Sequence, residues 1–382
     1  IIKLHPFAKH REEVLWRHAE LSFDFGEYTS AANSYEDLVK INSQNYKQRA
    51  LYKLGALEFQ LKKYKQSMSR FESLLSEEIS FEMLSPSLQN EAFEYVGLLY
   101  LKGQSLKALS DTQKFKAVSA VGERMERHNQ FLYAREIFQK FIKENPWNTK
   151  IPLYYSKVIE SLQPEGKEKE AVTWQSRLSK HLIPSGTWWK KNTDPTSRMI
   201  AEENVELAKI SVARYFANLA LKSGKTSDYR RAAKEYESFV KTEAYSTEIA
   251  VAYFEMGEIY MELKRYSLAY RAFKKSLSLN LQDNRELMIS EMLYAYQKQL
   301  SLNKNKFGIE VLTKKALALN DKEKDFLEEY KQYRDELLET EYLLPLDSLV
   351  ANIYLAKANV KEARSTLEAM LENTYVDSKQ IQ

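Results

Sequence analysis

The sequence predicts an all-α chain assembled from about eight or nine consecutive helical hairpins, and three observations predict it. Turn-forming residues are scarce: Gly and Pro fill 10 and 8 of 382 positions, under half of the roughly 12% they hold in ordinary usage. Apolar residues recur three and four apart in stretch after stretch, the period of a helix with one buried face. One pattern of small and aromatic positions also returns along the chain, which marks a repeat architecture.

The first two copies align without a gap. Leu15–Leu38 reads LWRHAELSFDFGEYTSAANSYEDL and Leu51–Leu74 reads LYKLGALEFQLKKYKQSMSRFESL, so Ala19, Tyr28, Ala31 and Tyr35 return 36 residues later as Gly55, Tyr64, Ser67 and Phe71. Val118–Phe141 holds Gly122, Phe131, Ala134 and Phe138 at the same spacing, and Asn145-Pro146 follows. Tyr253–Ser276 holds Gly257, Tyr266, Ala269 and Phe273, and Asp347–Met370 holds Ala351, Val360, Ala363 and Leu367. Each copy reads as two amphipathic helices joined by a short polar turn. The two small residues let the helix backbones approach, and the aromatic four positions after the second one fills the remaining gap. A Gly inside a helix costs about 1 kcal/mol against Ala, so its reuse at one place implies a packing reason.

Weaker copies fill the intervals: Leu88–Ser110 around Gly97, Tyr100 and Ala108; Leu153–Leu178 around Ala171; Ile200–Phe239 around Tyr229, Ala232 and Tyr236; Leu287–Leu319 around Phe307. After Leu101 the turn is one residue short, which predicts a stunted second helix near Ser105–Ser110 and a fresh helix from about Asp111.

These residues resemble the tetratricopeptide repeat, whose pattern sets Gly or Ala in the first helix, Tyr before the second, then Ala, an aromatic and often a terminal Pro. The resemblance implies a right-handed α–α superhelix, a solenoid whose concave wall is lined by the first helix of each hairpin. In the family that wall uses the residue three before the small one, the residue just after it, and those four and five further along. Carried over, the first hairpin offers Trp16, Glu20, Phe23 and Asp24; the second offers Tyr52, Ala56, Phe59 and Gln60; the Gly257 copy offers Phe254, Glu258, Met261 and Glu262. Members that grip a peptide's terminal carboxylate use Lys, Asn and Arg there, and this sequence departs from them. Its wall is aromatic with acidic punctuation, which favours an apolar or amphipathic partner segment bearing some positive charge. The same aromatics could instead pack neighbouring helices.

The organisation expected is an N-terminal array over 1–181, a connecting loop over 182–195, and a C-terminal array over 196–382 that begins with a long helical pattern from Thr196 to Lys222. The loop carries two prolines, a glycine and the adjacent Trp188 and Trp189. That pair could form a docking knob or could pack inward. Such a loop before a long helix, together with the segment FQKFIKENPWNTKIPLYYSKV, is similar to outer-membrane-linked bacterial members of the family. The resemblance implies a periplasmic or outer-membrane-associated address, with a cytoplasmic scaffold as the alternative. The chain opens Ile1-Ile2-Lys3 with no methionine and no signal-peptide pattern, so a cut N-terminus is expected.

Several chemistries lack their residues. The ten glycines are dispersed, with no Gly-rich loop followed by Lys and Ser or Thr to cradle a phosphate. The histidines are His5, His10, His18, His128 and His181, with no HExxH pair, and there is no cysteine and no GxSxG elbow. Neighbouring carboxylates such as Glu202 and Glu203 point to different helix faces. A formal charge of +4 on 382 residues is too diffuse to argue for nucleic acid, and the net −5 run Asp321–Glu341 reads as a solvated helix face. No apolar run reaches the roughly 18 residues of a membrane span. The sequence therefore predicts a non-catalytic scaffold with no cofactor, no metal and no direct membrane insertion, whose partner is a protein segment. An accessory domain that recruits substrates for a larger enzyme is the alternative.

Overall fold

The computed structural model describes residues 10–82, 84–242, 246–279, 285–300, 317–337 and 340–372, and among them every regular element is helical. Phe307 and His5 lie outside the described residues. Two compact units divide the chain, Ile1–Asn204 and Val205–Gln382.

Unit 1 contains α1 (Arg11–Asp24), α2 (Tyr28–Lys40), α3 (Lys47–Gln60), α4 (Tyr64–Ser76), the short α5 (Glu78–Glu82), α6 (Pro86–Leu101), α7 (Asp111–Arg127), α8 (Phe131–Glu144), α9 (Ile151–Glu160), α10 (Glu168–His181) and the short α11 (Thr187–Lys191). The long α12 (Pro195–Ser223) belongs in part to both units. Unit 2 continues with α13 (Thr226–Thr242), α14 (Ile249–Glu262), α15 (Tyr266–Ser278), α16 (Arg285–Gln297), α17 (Asp321–Tyr333), α18 (Thr340–Ala356) and α19 (Val360–Glu372). All five strong sequence copies are antiparallel hairpins: α1–α2, α3–α4, α7–α8, α14–α15 and α18–α19.

One turn closes all five. Three residues separate the helices, and the middle one is left-handed: Gly26 (φ 79°), Lys62 (60°), Asn129 (57°), Lys264 (56°) and Ala358 (58°). In each the middle N–H donates to the carbonyl three residues back and the next N–H donates to the carbonyl five back, as Lys264 does to Met261 and Arg265 to Tyr260. This closure satisfies carbonyls that the helix end leaves open. Only the first of the five uses Gly, so the other four accept strain that a Cβ makes unfavourable at this φ.

The glycine-on-aromatic packing is equally literal. A Cβ built on Gly55 would lie 2.9 Å from the Phe71 ring, on Gly122 2.1 Å from Phe138, and on Gly257 2.4 Å from Phe273. Those rings, and Tyr35 against Ala19, are at most 1% exposed. A ring thus occupies the volume that a side chain on the facing helix would need. The fifth copy differs: Ala351 and Ala363 are buried, but Leu367 remains 42% exposed. Its helix is the last one described, with no later helix to cover it among the described residues.

The expected stunted helix after α6 is absent altogether. Residues 102–110 form turns, with Leu106 and Leu109 buried where a helix would stand. In place of a ring, Gly97 faces α7 directly: its Cβ would lie 2.4 Å from the Ala117 carbonyl oxygen and 2.5 Å from a Val121 methyl. The new helix starts where the sequence places it, at Asp111, because Ser110 caps it and Gln113 returns the bond to the Ser110 N–H.

Candidate functional site

The candidate wall is best built one first helix at a time. In unit 1 the aromatic positions are engaged with one another. Trp16 stacks on Tyr46, centroids 5.3 Å apart and planes 17° from parallel, and tilts against Tyr35 at 5.8 Å. Tyr52 is buried, its ring edge-on to Phe71 and Tyr95 and its hydroxyl donating to Glu91 of α6. Half-buried Phe59 meets Tyr95 and Tyr64 at 5.3 and 5.6 Å. Half-buried Phe23 meets Tyr28 at 5.6 Å, with the Lys53 ammonium 5.4 Å from its centroid. Asp24 and Gln60 are exposed.

Charges along these first helices are paired from one hairpin to the next. Glu20 of α1 accepts from Lys53 of α3 at 3.3 Å and from the Tyr35 hydroxyl. Arg124 of α7 donates to Glu94 of α6, and Lys157 of α9 donates to Glu126 of α7 at 3.4 Å. The links run from one first helix to the next, so they tie successive hairpins together.

Unit 2 arranges the same positions differently. Phe254 packs on Phe273 at 5.4 Å. Glu258, Met261 and Glu262 open together into a cavity of about 440 Å³, whose other sides are Ala217, Leu221 and Arg214 of α12, Tyr236 of α13, Glu255 and Ile259 of α14, and Glu291 of α16. Arg214 is committed: it donates to Glu255 at 2.9 and 3.1 Å and to Glu248 at 2.7 Å. Tyr236 also donates to Glu255, at 3.2 Å. Burial raises the Glu255 carboxyl above the usual carboxylate range even against the pull of Arg214.

The remaining three carboxylates, Glu258, Glu262 and Glu291, have no ion-pair or hydrogen-bond partner among the described residues. Glu258 opens to the cavity, yet the surrounding wall strips enough water from it to raise its pKa, with the charges of Glu291 and then Glu255 adding to the shift. Loss of solvation raises Glu291 as well. Leu221, at the cavity's edge, is left 63% exposed.

Sequence reasoning named Glu258, Met261 and Glu262 but missed Arg214, Leu221, Glu255 and Glu291. The last four sit on the long helix, on an unassigned face of α14 and on a weak copy, where no wall register was carried over.

Trp188 and Trp189 are not a docking knob. They are 0% and 9% exposed. The Trp188 indole donates to the Asn148 carbonyl at 3.0 Å, the Trp189 indole donates to the Leu182 carbonyl, and Arg198 lies 5.2 Å over the Trp189 ring. Two large apolar surfaces with satisfied N–H groups are more stable inside than in water, and α11 holds them there. Among the histidines, His18 bonds Ser34 at 2.8 Å and His181 bonds the Tyr155 hydroxyl at 3.1 Å. No group of three His, Asp or Glu that could hold a metal occurs among the described residues, and no described helix is long and apolar enough to cross a membrane.

Residues 250–283, which contain the α14–α15 hairpin, match the family model described as a tetratricopeptide repeat. Among solved structures, a tetratricopeptide repeat protein from Parabacteroides merdae is 18% identical, with 74% of this chain and 98% of that one covered and a TM-score of 0.26. The apo form of RapI is 14% identical over 96% of this chain and 99% of that one, with a TM-score of 0.34. The TPR2AB domain of yeast Sti1 in complex with pHSP90 is 13% identical over 91% and 99%, with a TM-score of 0.26. No curated protein matches the chain in sequence. One hairpin matches the family model and four more repeat its turn, and in this the chain resembles the tetratricopeptide repeat superfamily.

Proposed function

We propose that the chain is a non-catalytic scaffold that holds a segment of a partner protein against the first helices of its hairpins. One observation carries this reading. In unit 2 the first-helix residues Glu258, Met261 and Glu262 open side by side into a cavity, and neither Glu258 nor Glu262 has an ion-pair or hydrogen-bond partner among the described residues. Side chains idle in folding and grouped on one face are available to a partner. The partner chemistry that fits is apolar with positive charge. In unit 1 the aromatic wall supports the reading less, since Tyr52 is buried and Trp16 is stacked. Asp24, Gln60 and the outer edges of Phe23 and Phe59 remain as its contribution.

Site-specific photocrosslinking tests the scaffold reading. A photoreactive residue at Met261 should capture a partner that the same residue at Arg271, exposed on the second helix α15, does not. Equal capture from both positions, or from neither, would reject binding on the first-helix face. An envelope or a cytoplasmic assembly would then be told apart by the compartment of the captured partner.

A further inference from the structure

We propose that the unit 2 groove is a subsite for one long cationic side chain, lysine or arginine, projecting from an otherwise apolar partner segment; this rests on the scaffold reading and specifies its chemistry. The groove has two parts. Leu221, Ile259 and Met261 form an apolar side, and Glu258, Glu262 and Glu291 stand beside it. A lysine or arginine fits both at once, because its methylene stem lies along apolar surface while its charged head reaches polar neighbours. A short cation would leave Leu221 uncovered, and a purely apolar chain would be surrounded by carboxylates with no counter-charge.

Charge complementarity selects the sign. The described chain places a cation beside several first-helix carboxylates, as Lys53 does for Glu20, Arg124 for Glu94 and Lys157 for Glu126. Here the single nearby guanidinium, Arg214, is held by Glu255 and Glu248 in a geometry that leaves nothing aimed at the other three. A cation delivered by a partner would supply here the pairing that Glu20, Glu94 and Glu126 find within the chain. An anionic segment would add charge beside Glu258, whose pKa is already raised by burial and then by the charges of Glu291 and Glu255. The cavity volume, about 440 Å³, admits one such side chain together with some of its backbone.

The test uses the full chain and three fluorescein-labelled amphipathic peptides, identical on a Leu, Ala and Gln background except for a central Lys, norleucine or Glu. The Lys peptide should bind at least about tenfold more tightly than the norleucine peptide, and the Glu peptide weakest. In the triple variant Glu258→Gln, Glu262→Gln, Glu291→Gln the Lys advantage should vanish while norleucine binding persists. Glu258→Lys should turn the preference toward the Glu peptide, and Leu221→Ala should weaken the Lys and norleucine peptides alike. Circular dichroism of each variant separates loss of binding from loss of fold. Equal binding of Lys and norleucine by the unaltered chain, a Lys advantage that survives the triple variant, or no binding of any peptide would overturn the subsite. Crosslinking confined to Met261 with no Lys preference would leave the scaffold reading standing and remove only this proposal.

Discussion

The first-helix face of unit 1 and that of unit 2 are built on the same hairpin and put to different ends. In unit 1 several first-helix positions are engaged with one another: Trp16 on Tyr46, Phe59 on Tyr95 and Glu20 with Lys53. A cavity of about 470 Å³ beside α6 and α7 has its Glu94 carboxylate paired with Arg124. In unit 2 the corresponding Glu258, Met261 and Glu262 face a cavity. The glycine and its ring are as tight in one as in the other, with Cβ clearances of 2.1 Å at Gly122 and 2.4 Å at Gly257. The open groove is therefore not a loose region. The difference teaches that the interior of the hairpin and its outer face vary independently, so an unchanged frame can carry either a structural or a receptive surface.

Perturbations rank the two regions. The largest effect belongs to Trp188→Ala, which removes a fully buried indole from unit 1 and should destabilise it by about 3 to 5 kcal/mol; a thermal midpoint near that of the unaltered chain would contradict the packing described. Gly257→Leu comes next, with overpacking against Phe273 worth about 1 to 3 kcal/mol or more. If differential scanning calorimetry found this change silent, the groove would be a soft part of the molecule and the comparison would fail.

A pH titration sharpens the contrast further. Glu258 and Glu291 have folded pKa values above their ordinary 4.5, so the folded chain holds their protons more firmly than the unfolded chain does. Their contribution to stability rises as pH falls from neutral toward 4.5, and it is lost as pH climbs through the folded values. The pair Glu258→Gln and Glu291→Gln should flatten this part of the pH dependence of the midpoint, and an unchanged slope would contradict the shared strain. By contrast, Lys53→Met in unit 1 removes a partner of Glu20 from a partly exposed pair and should lose about 0 to 1 kcal/mol, read by urea titration. Comparable in size and opposite in sign is Ala358→Gly, which relieves a left-handed alanine and is read by the same urea titration. The relief, offset by glycine's larger unfolded entropy, should leave a gain of roughly 0.5 to 1 kcal/mol.

The frame was legible in the sequence because its cause is local. Apolar spacing marks each helix, and a glycine exists at Gly55, Gly122 and Gly257 for a reason that one ring in the next helix, four positions after its small residue, states in full. The turns were legible in place but not in conformation: Lys62, Lys264 and Ala358 carry no αL signal, because the flanking helices impose it. The groove was half legible. Glu258, Met261 and Glu262 follow from a register on one helix, whereas Arg214 and Glu291 reach it from α12 and α16, and nothing local records that meeting. The Trp188–Trp189 pair shows the opposite limit, since a loop composition can advertise large apolar side chains without saying which way they turn.

The uniform joint has a further consequence. Because five hairpins close with a three-residue turn of the same hydrogen bonds and a left-handed middle residue, the two helices of each meet at one shared joint. A lineage, or an engineer, could exchange the first helix of an inert hairpin for a receptive one and keep its joint to the second helix ready-made, so new specificity would require changes on one helix rather than a new architecture.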